Sequence, residues 1–526
     1  MPRSIPPRPD KSRFIPMDGR SRGRFDARLD LDSLFERGIG PAPTPFTSGV
    51  GSGVATAAAS QLPFPGPVHI DEDLLFLIKR ATHGFSIPAY EEARTMGYQA
   101  WLEWQLDYEN IDDTEVDAAL AGFQTLDLSN NQLYETFIDD ASPVVFELQQ
   151  ALLLRSIYSR KQLFERMVDF WTYHFNINQL DDLALWWKTS DDKRVIRRFA
   201  LGTFPEMLRA SARSSCMMWY LDNYINQAGA VQENWARELM ELHTLGVDGP
   251  YTEDDVREVA RCFTGWTFHG VFTAGPIGLR AYVDAVHDQG AKTVLGVPIP
   301  ANGGEADGEM VLDILANHPA TANFISYKMS RFLLGYEPPT TLVERVSNVY
   351  MTTGGDIKSM VREILRPPSV AMVPEDRRPK IKRPFEVAVG AMRALGIEST
   401  NLLNITAELQ GLGLVPFWWP SPDGPPDEVE AWGQALLPRW DFNSRITKQL
   451  IGGNAAPITQ LEALVNAAPA SYTTLAEKVS FVLHGERLRP AELNAIQAFY
   501  DGQPSTNIVL REVFELVASS ESAQYF

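Results

Sequence analysis

The densest mixture of carboxylates, arginines and aromatics in the chain lies between Gln232 and Trp266. Asn234, Glu238 and Glu241 fall at i, i+4 and i+7, which places two carboxylates on one helical face. Carboxylates so placed suit proton transfer or metal ligation. Upstream, Arg166, Phe170 and His174 recur every four residues and share a face, with Trp171 one turn before His174. Downstream, His287-Asp288 stands in a turn-rich stretch, where a side chain can reach a cleft, and is the leading single candidate for function. Each candidate also has a structural reading. His174 beside two aromatics fits a hydrogen-bonded core histidine. His318, just before Pro319, can cap its helix. Glu238 and Glu241 can pair with Arg237, Arg257 and Arg261 in a network that fixes helix packing.

The elements that must position these groups are mostly helices. Order is expected to begin near Asp71, where acidic residues lead IDEDLLFLIKRATHGF and Leu74, Leu75, Ile78 and Ala81 keep helical spacing. Residues 143–178 read as one or two long helices. Ser190 is an expected N-cap for DDKRVIRRFALG, and Thr203-Phe204-Pro205-Glu206 an expected capping box. Gly246 is a helix stop, and Thr252 with Asp255 opens the next helix. Residues 267–305 change character to Gly, Val and Tyr with turns, a small β-containing insertion. PFWWPSPDGPP at 416–426 is a rigid aromatic–proline loop. The expected organisation is a flexible Pro/Gly/Ser/Arg-rich arm over 1–66, a large helical core over 67–453 containing that insertion, and C-terminal helices over 454–526 packed on it.

Composition excludes several classes. At 526 residues, 44% hydrophobic, with 12 Trp and 27 Phe, the chain can bury a large core. A net charge of −20 argues against nucleic-acid binding, which needs excess Lys and Arg. Cys216 and Cys262 alone make no disulfide framework and no four-cysteine zinc site; two inert core thiols are expected. No apolar run is long enough to span a membrane. Arg3, Arg8, Lys11 and Arg13 precede no apolar segment, so no Sec-type signal peptide is predicted and a cytoplasmic location is the default. P-loop, G-x-S-x-G, CxxC and HExxH motifs are absent, and Glu238-x-x-Glu241 is not the Glu-x-x-His of a di-iron bundle.

Blocks spread over 71–526 carry a resemblance. They are LIKRATHGF (77–85), RMVDFWTYHFNI (166–177), RRFALGTFPEML (197–208), YLDN (220–223), ENWARELMELHTLGVDGPYTEDDVREVARCFTGW (233–266), HDQGAKTVLG (287–296) and HPATANFISYKMSRFL (318–333). In order and spacing the chain resembles the bacterial family catalogued as domain of unknown function 1800. It departs from that pattern at Gln232, at His243 where a Phe is usual, and at Gly424-Pro425-Pro426 in place of Gly-Trp-Pro. The resemblance implies a mainly helical fold, relatives that are often exported, and a sulfatase-like partner protein. Positions that match the pattern with reactive side chains are His174, Glu238, Glu241, Asp254, Asp255, His287, Asp288 and His318. Asp254 and Asp255 read as capping residues. The others suggest a divalent metal ion held by His174, Glu238, His287 and His318, with Glu241 and Asp288 nearby, activating a water. Two readings therefore stand: a metal-assisted hydrolase or oxidoreductase with its site between helices, or a non-catalytic scaffold or partner-binding protein whose polar residues form an internal network.

Overall fold

The computed structural model describes residues 70–374, 379–434, 436–456, 458–501 and 507–526; the arm expected over 1–66 lies outside them. Among the described residues the chain is mainly helical, with three small two-stranded antiparallel sheets. The first described helix, Glu72–Ala81, starts where its chemistry directs: the Asp71 carboxylate accepts the Leu74 N–H at 2.9 Å. Glu72 and Asp73 occupy the positive end of the helix, and Lys79 and Arg80 the negative end.

Two consecutive helices, Ser142–Tyr158 and Gln162–His174, form the spine. In the second, every residue is buried, including Glu165, Arg166 and Asp169. Leu77, Trp171, Phe263, Met329, Phe481 and Phe514 all belong to one buried apolar cluster, so the C-terminal helices share the core of the rest. Phe170 and Arg166 meet Phe332 of helix Pro319–Leu333, the ring at 5.2 Å and the guanidinium at 4.5 Å. The face carrying Arg166, Phe170 and His174 is thus the one applied to that helix.

Charges buried on helix Gln162–His174 are paired across long sequence distances. Arg166 donates to Glu386 at 2.7 Å, and Arg383 bridges Asp169 and Glu386. Arg197 makes two hydrogen bonds to Glu165, at 3.0 and 2.9 Å, and a third to Asp192 at 2.9 Å. Burial alone would raise the Glu386 pKa, but Arg383 and Arg166 outweigh it and hold that carboxyl well below its usual range.

Thr252 and Asp255 form the expected capping box of helix Glu253–Cys262. Ser190 does not start a helix. Helix Ala184–Asp191 already contains it and continues into a wide π turn, Asp192–Arg197. A buried ion pair between Lys188 and Asp191 (2.8 Å), three residues apart on the same helix, favours that stretch staying helical over a cap at Ser190. Thr203 makes no side-chain cap; its hydroxyl donates to Glu206 at 2.6 Å instead. The expected insertion contains two hairpins, Trp266–Phe268 with Arg280–Tyr282 and Lys292–Val294 with Val297–Ile299. Cys216 and Cys262 are buried and not joined in a disulfide, and burial pushes the Cys262 thiol up to about 12. Among the described residues no helix is long and apolar enough to cross a membrane.

Glu386→Ala should strand two buried guanidinium groups and cost about 3–5 kcal/mol, read from the urea unfolding midpoint. Because the folded-state pKa of Glu386 is depressed, its contribution is present above the ordinary carboxylate pKa of 4.5 and is lost as pH falls below it. The variant's stability should therefore depend less on acid than that of the parent chain.

Candidate functional site

Helix Asn234–Glu238 does not continue as an α-helix. It widens into a π turn, Leu239–Thr244, in which Leu245 N–H reaches back five residues to the Met240 carbonyl at 2.8 Å. The Thr244 hydroxyl also donates to the Leu239 carbonyl at 2.7 Å. Gly246, at φ +88°, then ends the element.

The π turn presents the His243 carbonyl to His174, whose Nε2 lies 3.2 Å away. A carbonyl can only accept, so Nε2 carries the proton and Nδ1 is left as an acceptor. The Lys328 amine, 3.1 Å from Nδ1, donates to it. His174 is buried and held neutral: burial lowers its pKa well below the usual value, and Lys328 and His243 lower it further. Lys328 comes from helix Pro319–Leu333, one turn beyond Phe324, whose ring lies 5.4 Å from the amine. It is half-buried, and among the described residues no carboxylate lies within ion-pair distance. Burial lowers its pKa to about 8, although Asp423 and Asp427 pull the other way.

Glu238 is the complementary group. It too is half-buried, and among the described residues it makes neither a hydrogen bond nor an ion pair. Burial, then Glu241, then Asp423 push its pKa up to about 7, with Arg237 opposing. Arg237 is committed elsewhere, to Glu253 (2.7 and 3.1 Å), Glu241 (3.5 Å) and Glu233 (3.8 Å). Arg257 pairs with Asp254 and Arg261 with Glu258 and Asp288. The network expected for both carboxylates therefore takes in Glu241 and leaves out Glu238.

Asp423 reaches the pair from the aromatic–proline loop. Asn176 donates to the carbonyls of Trp419 (3.0 Å) and Ser421 (2.6 Å), and Tyr220 to that of Pro420 (2.8 Å). Gly424 has φ +75°, and a Cβ there would meet the Tyr173 carbonyl at 2.6 Å. Phe417, at φ +68°, sits in a conformation bulky residues avoid; its carbonyl accepts from Gln179 N–H at 2.7 Å. Downstream, Asp427 is held by Lys380 at 2.6 Å. The loop is fixed to the end of the spine helix and its continuation, as His174 is.

The remaining sequence candidates occupy other environments. His287 is fully buried: Nδ1 donates to the Thr264 carbonyl at 2.7 Å, and Nε2 faces Asp307 at 3.2 Å. Lys292, also fully buried, meets the same Asp307 oxygen at 2.6 Å. Asp288 is paired with Arg261 at 2.8 and 3.0 Å, and that pairing holds its pKa down to about 2. These contacts clamp the β insertion onto helix Glu253–Cys262. His318 caps its own helix, Nδ1 accepting from Ala320 N–H at 3.1 Å. Asp255 accepts from Leu295 N–H at 2.8 Å, besides its capping role. Among the described residues no three His, Cys, Asp or Glu side chains gather so as to hold a metal ion. The ligand set His174, Glu238, His287 and His318 thus has no support in the geometry: His174 uses both ring nitrogens on His243 and Lys328, His287 is closed in by Asp307, and His318 is a cap. Lys328, Asp423, Lys292 and Asp307 were not singled out in the sequence. The one available signal for Lys328 was its place four residues after Phe324 on a helix packed beside His174.

What the fold and site define is a helical protein in which a half-buried amine, Lys328, and a half-buried carboxyl, Glu238, both feel Asp423 of a strained aromatic loop. The chain belongs to the family described as "Protein of unknown function (DUF1800)", whose model matches residues 76–525. No curated protein and no solved structure matches it.

Both groups should cost stability. Glu238 binds its proton more tightly folded than unfolded, so stability falls as pH rises from 4.5 to about 7. Lys328 binds its proton less tightly folded, so stability rises as pH climbs from about 8 to 10.5. Glu238→Gln at mildly alkaline pH, and Lys328→Met at neutral pH, should each stabilise by about 1 kcal/mol once solvent screening is allowed for, read from thermal melts.

Proposed function

We propose that the protein is an enzyme that works by general acid–base catalysis at Glu238 and Lys328, of the hydrolase or oxidoreductase type. The single observation carrying this reading is that an amine and a carboxyl from different helices are both half-buried and, among the described residues, both without a charged partner in ion-pair distance. On helix Gln162–His174, by contrast, the buried acidic and guanidinium groups are paired. Unpaired groups of this kind are costly, and groups poised near neutral pH are the ones proton transfer needs. Glu238, titrating at about 7, can give or take a proton without a large energetic penalty. Lys328, titrating at about 8, supplies the partner function, oriented by the fixed tautomer of His174. Asp423 sits at the exposed edge, where substrate would enter.

The scaffold reading has its own supporting observation. His287 with Asp307 and Lys292, and Glu241 with Arg237, are closed pairs suited to holding helices together. On that reading Glu238 and Lys328 are only a local electrostatic misfit.

A panel of chromogenic esters, amides and glycosides separates the two. Turnover should peak between the values of about 7 and about 8 at which the two groups titrate. Glu238→Gln should lower kcat/KM by roughly 10²–10⁴-fold, while His287→Asn should act through stability alone. Wild-type turnover in folded Glu238→Gln and Lys328→Met would favour the scaffold.

A further inference from the structure

Residues 523–526 run antiparallel to residues 380–382, with Ile381 opposite Tyr525. Phe526 N–H donates to the Lys380 carbonyl at 2.9 Å, and Lys382 N–H to the Gln524 carbonyl at 2.8 Å. The Lys382 amine donates to the Ala523 carbonyl at 2.9 Å. Tyr525 has extended backbone, so its side chain and that of Phe526 face opposite ways. Tyr525 packs against a small apolar cluster of Ile381, Leu414 and Trp432, where Trp419 and Tyr336 also rest. The Phe526 ring lies instead among cations: Arg80 and Arg166 at 5.6 Å and Lys382 at 5.8 Å.

The walls of this slot are held by bonds of their own. Arg166 is fixed by Glu386 at 2.7 Å, and Lys380 by Asp427 at 2.6 Å and the Arg331 carbonyl at 2.8 Å. Trp432 donates to the Pro426 carbonyl at 2.7 Å. Ile381 N–H turns away from the slot, to the Tyr336 hydroxyl at 3.3 Å. The slot therefore keeps its shape when the segment filling it leaves. That segment is held to the edge by two backbone bonds, and Tyr525 and Phe526 are only half-buried. Segments held in this way open locally at much lower free energy than a core. An edge that offers a carbonyl and an N–H, flanked by slots for alternate side chains, is built to take up an extended peptide.

We propose that residues 380–382 are a strand-docking site, filled in the free protein by the chain's own residues 523–526 and open to exchange for a partner's extended segment that carries two adjacent aromatics. Charge narrows the partner further. Arg80, Arg166 and Lys382 surround the aromatic slot, and the nearby Glu386 is already committed to Arg166 and Arg383. A neutral or acidic segment is therefore favoured over a basic one.

Fluorescence anisotropy with a labelled peptide of residues 519–526 tests this on the full chain. The peptide should bind a chain carrying Tyr525→Ser with Phe526→Ser at least roughly tenfold more tightly than the parent, where the tethered segment competes at an effective concentration of about millimolar. Methylating the peptide's backbone nitrogen at Phe526 removes the N–H given to Lys380 and should weaken binding roughly tenfold. Equal affinity for the two chains, or no binding to a variant that melts cooperatively, overturns the proposal. If the variant does not fold, amide hydrogen exchange of the parent decides. The Lys382 and Phe526 amides should exchange at least roughly tenfold faster than those of helix Gln162–His174. Exchange at the same rate would make the segment a fixed part of the core and end the docking site.

Discussion

The structure depends on one constraint: helix Gln162–His174 is buried along its whole length, so each acidic, guanidinium and imidazole group on it must find a partner inside the protein. Arg166 and Asp169 find Glu386 and Arg383, Glu165 finds Arg197, and the C-terminal helices pack over a core those pairs share. His174, at the end of the same helix, is subject to the same demand. Its Nε2–H finds the His243 carbonyl, and among the described residues Nδ1 is met by the Lys328 amine. The lysine is therefore held in place by the packing of the spine rather than by a counter-charge.

Pairing sets the framework charges apart from Glu238 and Lys328. A buried ion pair contributes little net stability but is expensive to break, so it fixes geometry. That describes Glu386 with its two arginines, and Asp307 with His287 and Lys292. Glu238 and Lys328 are the opposite case. Neither has a counter-ion among the described residues, and each is displaced toward neutrality by burial. Proteins tolerate such a cost where chemistry needs it.

Much of the framework was legible in the sequence because local rules govern it. Asp71 and Thr252 cap helices through bonds spanning three residues, and the face of Arg166, Phe170 and His174 follows from helical periodicity. The turn-rich insertion showed in its composition. The site was less legible, for physical reasons. A π turn has no strong sequence signature, and it is the π turn that turns the His243 carbonyl toward His174. Lys328 is 154 residues from His174, and Asp423 joins the site through a loop held by Asn176 and Tyr220. Phasing put Glu238 and Glu241 together correctly, but only the third dimension shows that Arg237 serves one and not the other. His287 drew notice because it lies in a loop region, and loops carry function; here the loop is clamped by the buried side chain itself.

The central claim is that Glu238 is a carboxyl poised near neutrality rather than a member of the salt-bridge network. Carbon-detected NMR of the glutamate side-chain carboxyls, with Glu238 assigned by its absence in Glu238→Gln, measures this directly. A midpoint at about 7 is predicted, moving down when Glu241 is replaced by glutamine. A midpoint at the ordinary 4.5, indifferent to Glu241, would contradict the account.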